Sequence, residues 1–122
     1  MTLKILAIDD SRTIREMLRI TLTTAGFDVQ VAVDGIEGIE MLEEVSPDVV
    51  ITDINMPRLD GFGVIETIRK DRADRAIPIL VLTTESASDL KQRARESGAT
   101  GWIVKPFDDA KLISAIRRIA AA

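Results

Sequence analysis

Certain polar residues in this sequence recur at one kind of position, immediately after a short apolar run. Asp9 and Asp10 follow KILAI, Asp53 follows DVVIT, Thr83 and Thr84 follow PILVL, and Lys105 follows GWIV. Carboxylates gathered in one place repel one another unless a cation joins them. A donor set of oxygen atoms without nitrogen or sulfur suits a hard ion, above all Mg2+. A lysine and a hydroxyl beside it supply a point charge and a donor for phosphoryl oxygens. Such a set fits phosphoryl transfer, with one aspartate as the nucleophile and an acyl phosphate as the product.

Taken singly, each residue has a plainer reading. Asp9-Asp10 would be an acidic turn before a helix, Asp53 and Asp60-Gly61 turn residues, Thr83 a cap, and Lys105 a solvated lysine. Their shared placement at successive strand ends carries the argument. Composition removes the rival chemistries. The sequence holds neither cysteine nor histidine, which excludes disulfides, thiolate metal sites and histidine bases. The net charge of −4 gives no general attraction for nucleic acid or anionic lipid. No apolar run approaches the ~20 residues of a membrane span, and MTLKILAIDD is not a signal peptide. The cytoplasm is the expected location.

The elements that must position these residues alternate along the chain. Strands are expected at 4–8, 29–33, 48–52, 78–82 and 101–104. Helices are expected from the Ser11 N-cap to Gly26, over 36–45 up to Pro47, over 62–70, over 87–97 up to Gly98, and over 109–120. In the first helix Ile14, Met17, Leu18, Thr21, Leu22 and Ala25 share a face, and Asp34-Gly35 reads as a turn. Five strand-then-helix units imply an α/β fold, a doubly wound parallel sheet with helices on both faces. Ligands of such sheets bind beyond the C-terminal strand ends, where the polar set falls. A chain of 122 residues fits a single domain over 1–122.

With these residues in place, the whole chain resembles the receiver domain of bacterial two-component response regulators, particularly the single-domain chemotaxis (CheY-like) type. The motifs are Asp9-Asp10 after LAI, Ser11-Arg12, Asp53 within ITDINMPRLDG, Thr83 after ILVL, and Lys105 within GWIVKPF. The resemblance implies a flavodoxin-like sheet of strand order 2-1-3-4-5. It implies Asp53 as acceptor of a phosphoryl group from a sensor histidine kinase of the CheA type. It implies Mg2+ held by Asp10, Asp53 and the Asn55 carbonyl, with Asp9 acting through water. Lys105 would pair with the phosphoryl group, Thr83 and Thr84 would serve binding and switching, and the Lys105-Pro106 peptide would be cis. Trp102 stands where the family more often has tyrosine, phenylalanine or histidine as its switch aromatic; a partly buried edge tryptophan is the plainer reading. Asn55 and Glu85 would bracket the hydrolytic water and give a phosphorylated lifetime of seconds to minutes. The readout surface would lie on the fourth helix, fifth strand and fifth helix, around Lys91, Trp102 and Ile113. The implied protein is a monomer without an output domain, serving a separate target such as the flagellar motor switch, with a phosphatase as a further partner. A relay intermediate or phosphate sink is the alternative role.

Two other classes share some of these features. A hydrolase of the haloacid dehalogenase type would use DxDxT around its nucleophile, and Asp53-Ile54-Asn55-Met56-Pro57 lacks both the second acid and the threonine. A flavodoxin-like flavin binder would need a Ser/Thr/Gly-rich phosphate loop after the first strand, and none is present there.

Overall fold

Alternation within the strands decides the layering. In a computed structural model, which describes residues 2–71 and 76–121, the elements are β1 (Lys4–Ile8), α1 (Arg12–Thr24), β2 (Asp28–Ala32), α2 (Gly35–Val45), β3 (Val49–Thr52), α3 (Gly61–Asp71), β4 (Ile79–Thr83), α4 (Ser88–Ser97), β5 (Gly101–Val104) and α5 (Asp109–Ala121). The five strands are parallel in the order β2-β1-β3-β4-β5, as the resemblance implied.

Successive strand side chains point to opposite faces, so each inner strand feeds two cores. Ile5, Ala7, Val49, Ile51, Leu80 and Leu82 meet Leu18 and Leu22 of α1 and Leu112, Ile116 and Ile119 of α5. Leu6, Ile8, Val50, Ile79 and Val81 meet Leu42 of α2, Ile65 and Ile68 of α3 and Ala94 of α4. Each fully buried Leu or Ile is worth about 1.5–3 kcal/mol relative to exposure. Strands apolar on both faces are what a helix-covered parallel sheet requires.

The helix ends follow local chemistry. Ser11 caps α1 through its hydroxyl, which accepts from Ile14 N–H. Gly26 and Gly98 take positive φ angles of 96° and 114° after α1 and α4, where a side chain would be strained. Three local expectations need correction. Met17 is exposed rather than part of the inward face of α1. Val33 lies outside β2 and is exposed, its N–H donating to Glu37 Oε1. Asp34 is the N-cap of α2 rather than a bare turn, accepting from Glu37 N–H.

Candidate functional site

Strand register brings the polar residues together before any side chain is considered. Ile8 pairs with Thr52, so Asp9 and Asp53 leave the sheet side by side. Thr83 pairs with Val104, which sets Lys105 next to the end of β4. Backbone bonds fix these exits: Asp53 N–H donates to Ile8 O at 3.1 Å, and Lys105 N–H to Thr83 O at 2.7 Å. The Lys105-Pro106 peptide is cis.

Carboxylate oxygens of Asp9, Asp10 and Asp53 lie within 4.8 Å of one another, with Asp9 and Asp53 buried and Asp10 exposed. Lys105 Nζ joins two of them, donating to Asp9 Oδ2 at 2.7 Å and to Asp53 Oδ2 at 2.9 Å. The other Asp9 oxygen accepts from Ser11 N–H at 2.9 Å, and Asp53 Oδ1 accepts from Ile54 N–H at 2.6 Å. Burial is the largest influence on Asp9 and holds its carboxyl above the usual range, against the lowering effect of Lys105 and Ser11 N–H. Burial alone would lower the Lys105 ammonium, but the bonds to Asp9 and Asp53 outweigh it and raise it.

This balance gives a prediction. A carboxyl whose folded pKa is raised stabilises the fold only while protonated, and that contribution is lost as pH rises through the folded value. Ionised Asp9 therefore costs stability near neutrality in metal-free protein. Asp9→Asn should melt at a higher temperature than wild type at neutral pH. The advantage should shrink as the pH falls toward about 4, near the ordinary carboxylate range. Thermal melts across that range check it; a lower melting temperature for the variant at neutral pH contradicts it.

The other residues singled out lie around this cluster. Thr83 is buried, and its hydroxyl oxygen accepts from Glu85 N–H at 3.3 Å. Thr84 is exposed. Asn55 Nδ2 donates to Glu85 Oε1 at 2.9 Å, linking the β3–α3 and β4–α4 loops. Trp102 is half-buried against the α2–α3–α4 core, and its indole N–H donates to Glu85 O at 3.1 Å. Glu85 thus touches Thr83, Asn55 and Trp102 at once. Near the rim, Arg58 escaped the sequence reading and Asp34 was read only as a turn. Arg58, on the loop carrying Asn55, forms an ion pair with Asp34 at 2.9 Å. The available signal was Asp34 followed by Glu37, a capping pattern that makes Asp34 more than a turn.

The description "Response regulator receiver domain" matches residues 5–117. The chain belongs to that family. This receiver domain is 40% identical to the chemotaxis protein CheY4 of Vibrio cholerae, whose crystal structure superposes with a TM-score of 0.92 over 98% of this chain and 99% of that one. It is 37% identical over 116 residues to the DNA-binding dual master transcriptional regulator RpaA of Synechocystis, covering 95% of this chain and 48% of the relative. It is 38% identical over 117 residues to the response regulator MprA of Mycobacterium leprae, covering 96% and 50%. The receiver domain thus spans about half the length of the curated relatives it matches. It is a phosphoacceptor module of two-component signalling. Among the described residues, no helix is long and apolar enough to cross a membrane.

Proposed function

We infer that this domain accepts a phosphoryl group on Asp53 from a sensor histidine kinase and passes the event to a downstream target. The observation that carries this reading is the Lys105 ammonium bridging Asp9 and Asp53 within a three-carboxylate cluster. An Asp53 oxygen attacks the phosphorus of a phosphohistidine; the P–N bond breaks as the P–O bond forms, and the imidazole leaves. The oxygen-only donor set fits Mg2+, which Asp10, Asp53 and the Asn55 carbonyl would hold and which, when bound, neutralises charge on the phosphoryl oxygens. Lys105 pairs with the transferred group, and the Thr83 hydroxyl, with Thr84 beside it, donates to it. Water attack on phosphorus later breaks the bond to Asp53, releasing inorganic phosphate and restoring the carboxylate. Asn55 and Glu85, joined at 2.9 Å, would bracket that water. The domain is a switch with self-directed chemistry, not a catalyst for an external substrate.

The phosphoryl group brings roughly −1.5 to −2 charges and three acceptor oxygens. Its pull on Thr83 releases Glu85 N–H, and Glu85 carries the change to Trp102. The readout face is α4, β5 and α5 around Lys91, Trp102 and Ile113; Ile113 itself packs partly into the core. The likeness to the chemotaxis protein CheY4 favours a chemotaxis role. For that role the family resemblance implies a flagellar motor switch protein as target, a CheA-type kinase as donor, a monomeric cytoplasmic state and a phosphatase as auxiliary partner. The likeness to RpaA and MprA favours a second reading, a transcriptional or phosphorelay output. Mixing the domain with a motor switch peptide, with and without acetyl phosphate, separates the two. Binding that needs acetyl phosphate and decays within seconds to minutes of its removal is expected. No phosphorylation-dependent binding favours the second reading, and decay over hours contradicts the role given to Asn55 and Glu85.

A further inference from the structure

The loop between β3 and α3 carries Asn55 and must hold one shape for its carbonyl to serve a cation. Its inner part is well tied. Ile54 is buried, and Gly61 N–H donates to Ile54 O at 2.9 Å. Asn55 is fastened to the β4–α4 side through Glu85. The outer part, Pro57 to Leu59, crosses to the opposite side of the site. Backbone contact there is close: a Cβ on Gly35, the first residue of α2, would fall against Leu59 O and lie 2.9 Å from Leu59 Cβ.

Arg58 is the residue that fixes this crossing. It is left-handed, with φ 69°. A non-glycine residue in that conformation costs of order 1–3 kcal/mol and persists only where its surroundings enforce it. The enforcing contact is a fork. Arg58 Nε lies 2.9 Å from Asp34 Oδ2, and Arg58 Nη2 donates to Asp34 Oδ1 at 3.2 Å. Asp34 is itself immobile: its side chain is 11% exposed and caps α2 by accepting from Glu37 N–H at 2.9 Å. A two-point guanidinium–carboxylate contact specifies geometry as well as charge.

We propose that Arg58 and Asp34 are positioning residues for cation binding, a clamp that holds the β3–α3 loop so that Asn55 is presented to the acid cluster. The proposal rests on the reading of that cluster as an Mg2+ site. The clamp and the Asn55–Glu85 bond secure the loop from opposite sides, so losing either leaves Asn55 tethered at one side only. Neither Arg58 nor Asp34 belongs to the acid cluster. The loss should therefore appear in the affinity for Mg2+, not in the rate once Mg2+ is saturating.

The test uses Arg58→Asn, Asp34→Asn and the double variant in the full chain. Asparagine tolerates left-handed backbone at position 58 and remains a good N-cap at position 34, so each change removes the fork and spares the fold. Mg2+ titration is followed by amide NMR shifts, and phosphorylation by acetyl phosphate is measured across Mg2+ concentrations. Each single variant should bind Mg2+ about fivefold more weakly, the factor matching a partly exposed fork. The double variant should be no weaker than the singles, and amides 54–61 should exchange faster while those of β1 and β3 do not. The Mg2+ concentration for half-maximal phosphorylation should rise while the limiting rate and the metal-free melting temperature hold. Wild-type affinity in both singles overturns the clamp, as does an additive loss in the double. If wild type itself takes up no Mg2+, the reading of the cluster fails instead, and exchange of amides 54–61 in the same variants still decides whether the fork holds the loop.

Discussion

Lys105→Met should slow phosphoryl uptake from acetyl phosphate by about 10²–10³, the usual loss when one preorganised donor is removed from a charge-stabilising site. Methionine keeps the length and apolar stem of lysine but carries no charge. Lys105 is only 8% exposed and bonds Asp9 at 2.7 Å and Asp53 at 2.9 Å. Removing it leaves two buried carboxylates facing each other and takes away the cation that meets the incoming phosphoryl oxygens. Arginine should not substitute well, because its planar fork does not reproduce a compact ammonium placed between two acids. Intact-mass measurement of the rate of phosphoryl gain checks this. A rate within about threefold of wild type, well short of the loss expected for such a donor, would show that the ammonium only balances charge in the resting protein.

Asp53→Asn should abolish phosphoryl uptake while leaving the protein folded. The amide cannot form the acyl phosphate. Its oxygen can still accept from Ile54 N–H, the 2.6 Å bond that orients the side chain. Lys105 retains Asp9 as a partner, so no unpaired ammonium is left behind. Local rearrangement is therefore expected only where the new amide group meets the Lys105 ammonium. Loss of uptake with a native-like melt separates the missing nucleophile from general unfolding.

The strand ends were legible in the sequence because both kinds of signal are local there. A run such as DVVIT or PILVL marks a doubly covered strand, and the polar residue after it falls at the ligand-binding edge. The parallel sheet and the gathering of Asp9, Asp53, Thr83 and Lys105 follow from those runs and from register. What was not legible depends on contacts between distant loops. Arg58 reads as an ordinary turn residue until Asp34, 24 positions away, is seen to hold it. Gly61 reads as half of an Asp-Gly turn. Its reason is tighter: a Cβ there would fall against Asp53 O and lie 2.8 Å from Ile54 Cα. Met17 satisfies the helical spacing of α1 yet stays exposed, since periodicity gives a face but not its width. Trp102 is unusual as an aromatic at its position, but its N–H bond to Glu85 O depends on the three-dimensional path of the β4–α4 loop.

The central claim concerns Asp53, and the most direct measurement is intact mass after incubation with acetyl phosphate and Mg2+, in wild type and Asp53→Asn side by side. Wild type should gain the mass of one phosphoryl group and lose it again when the donor and Mg2+ conditions no longer sustain it, and the variant should gain none. No gain in wild type, or equal gain in the variant, would contradict Asp53 as the phosphoacceptor.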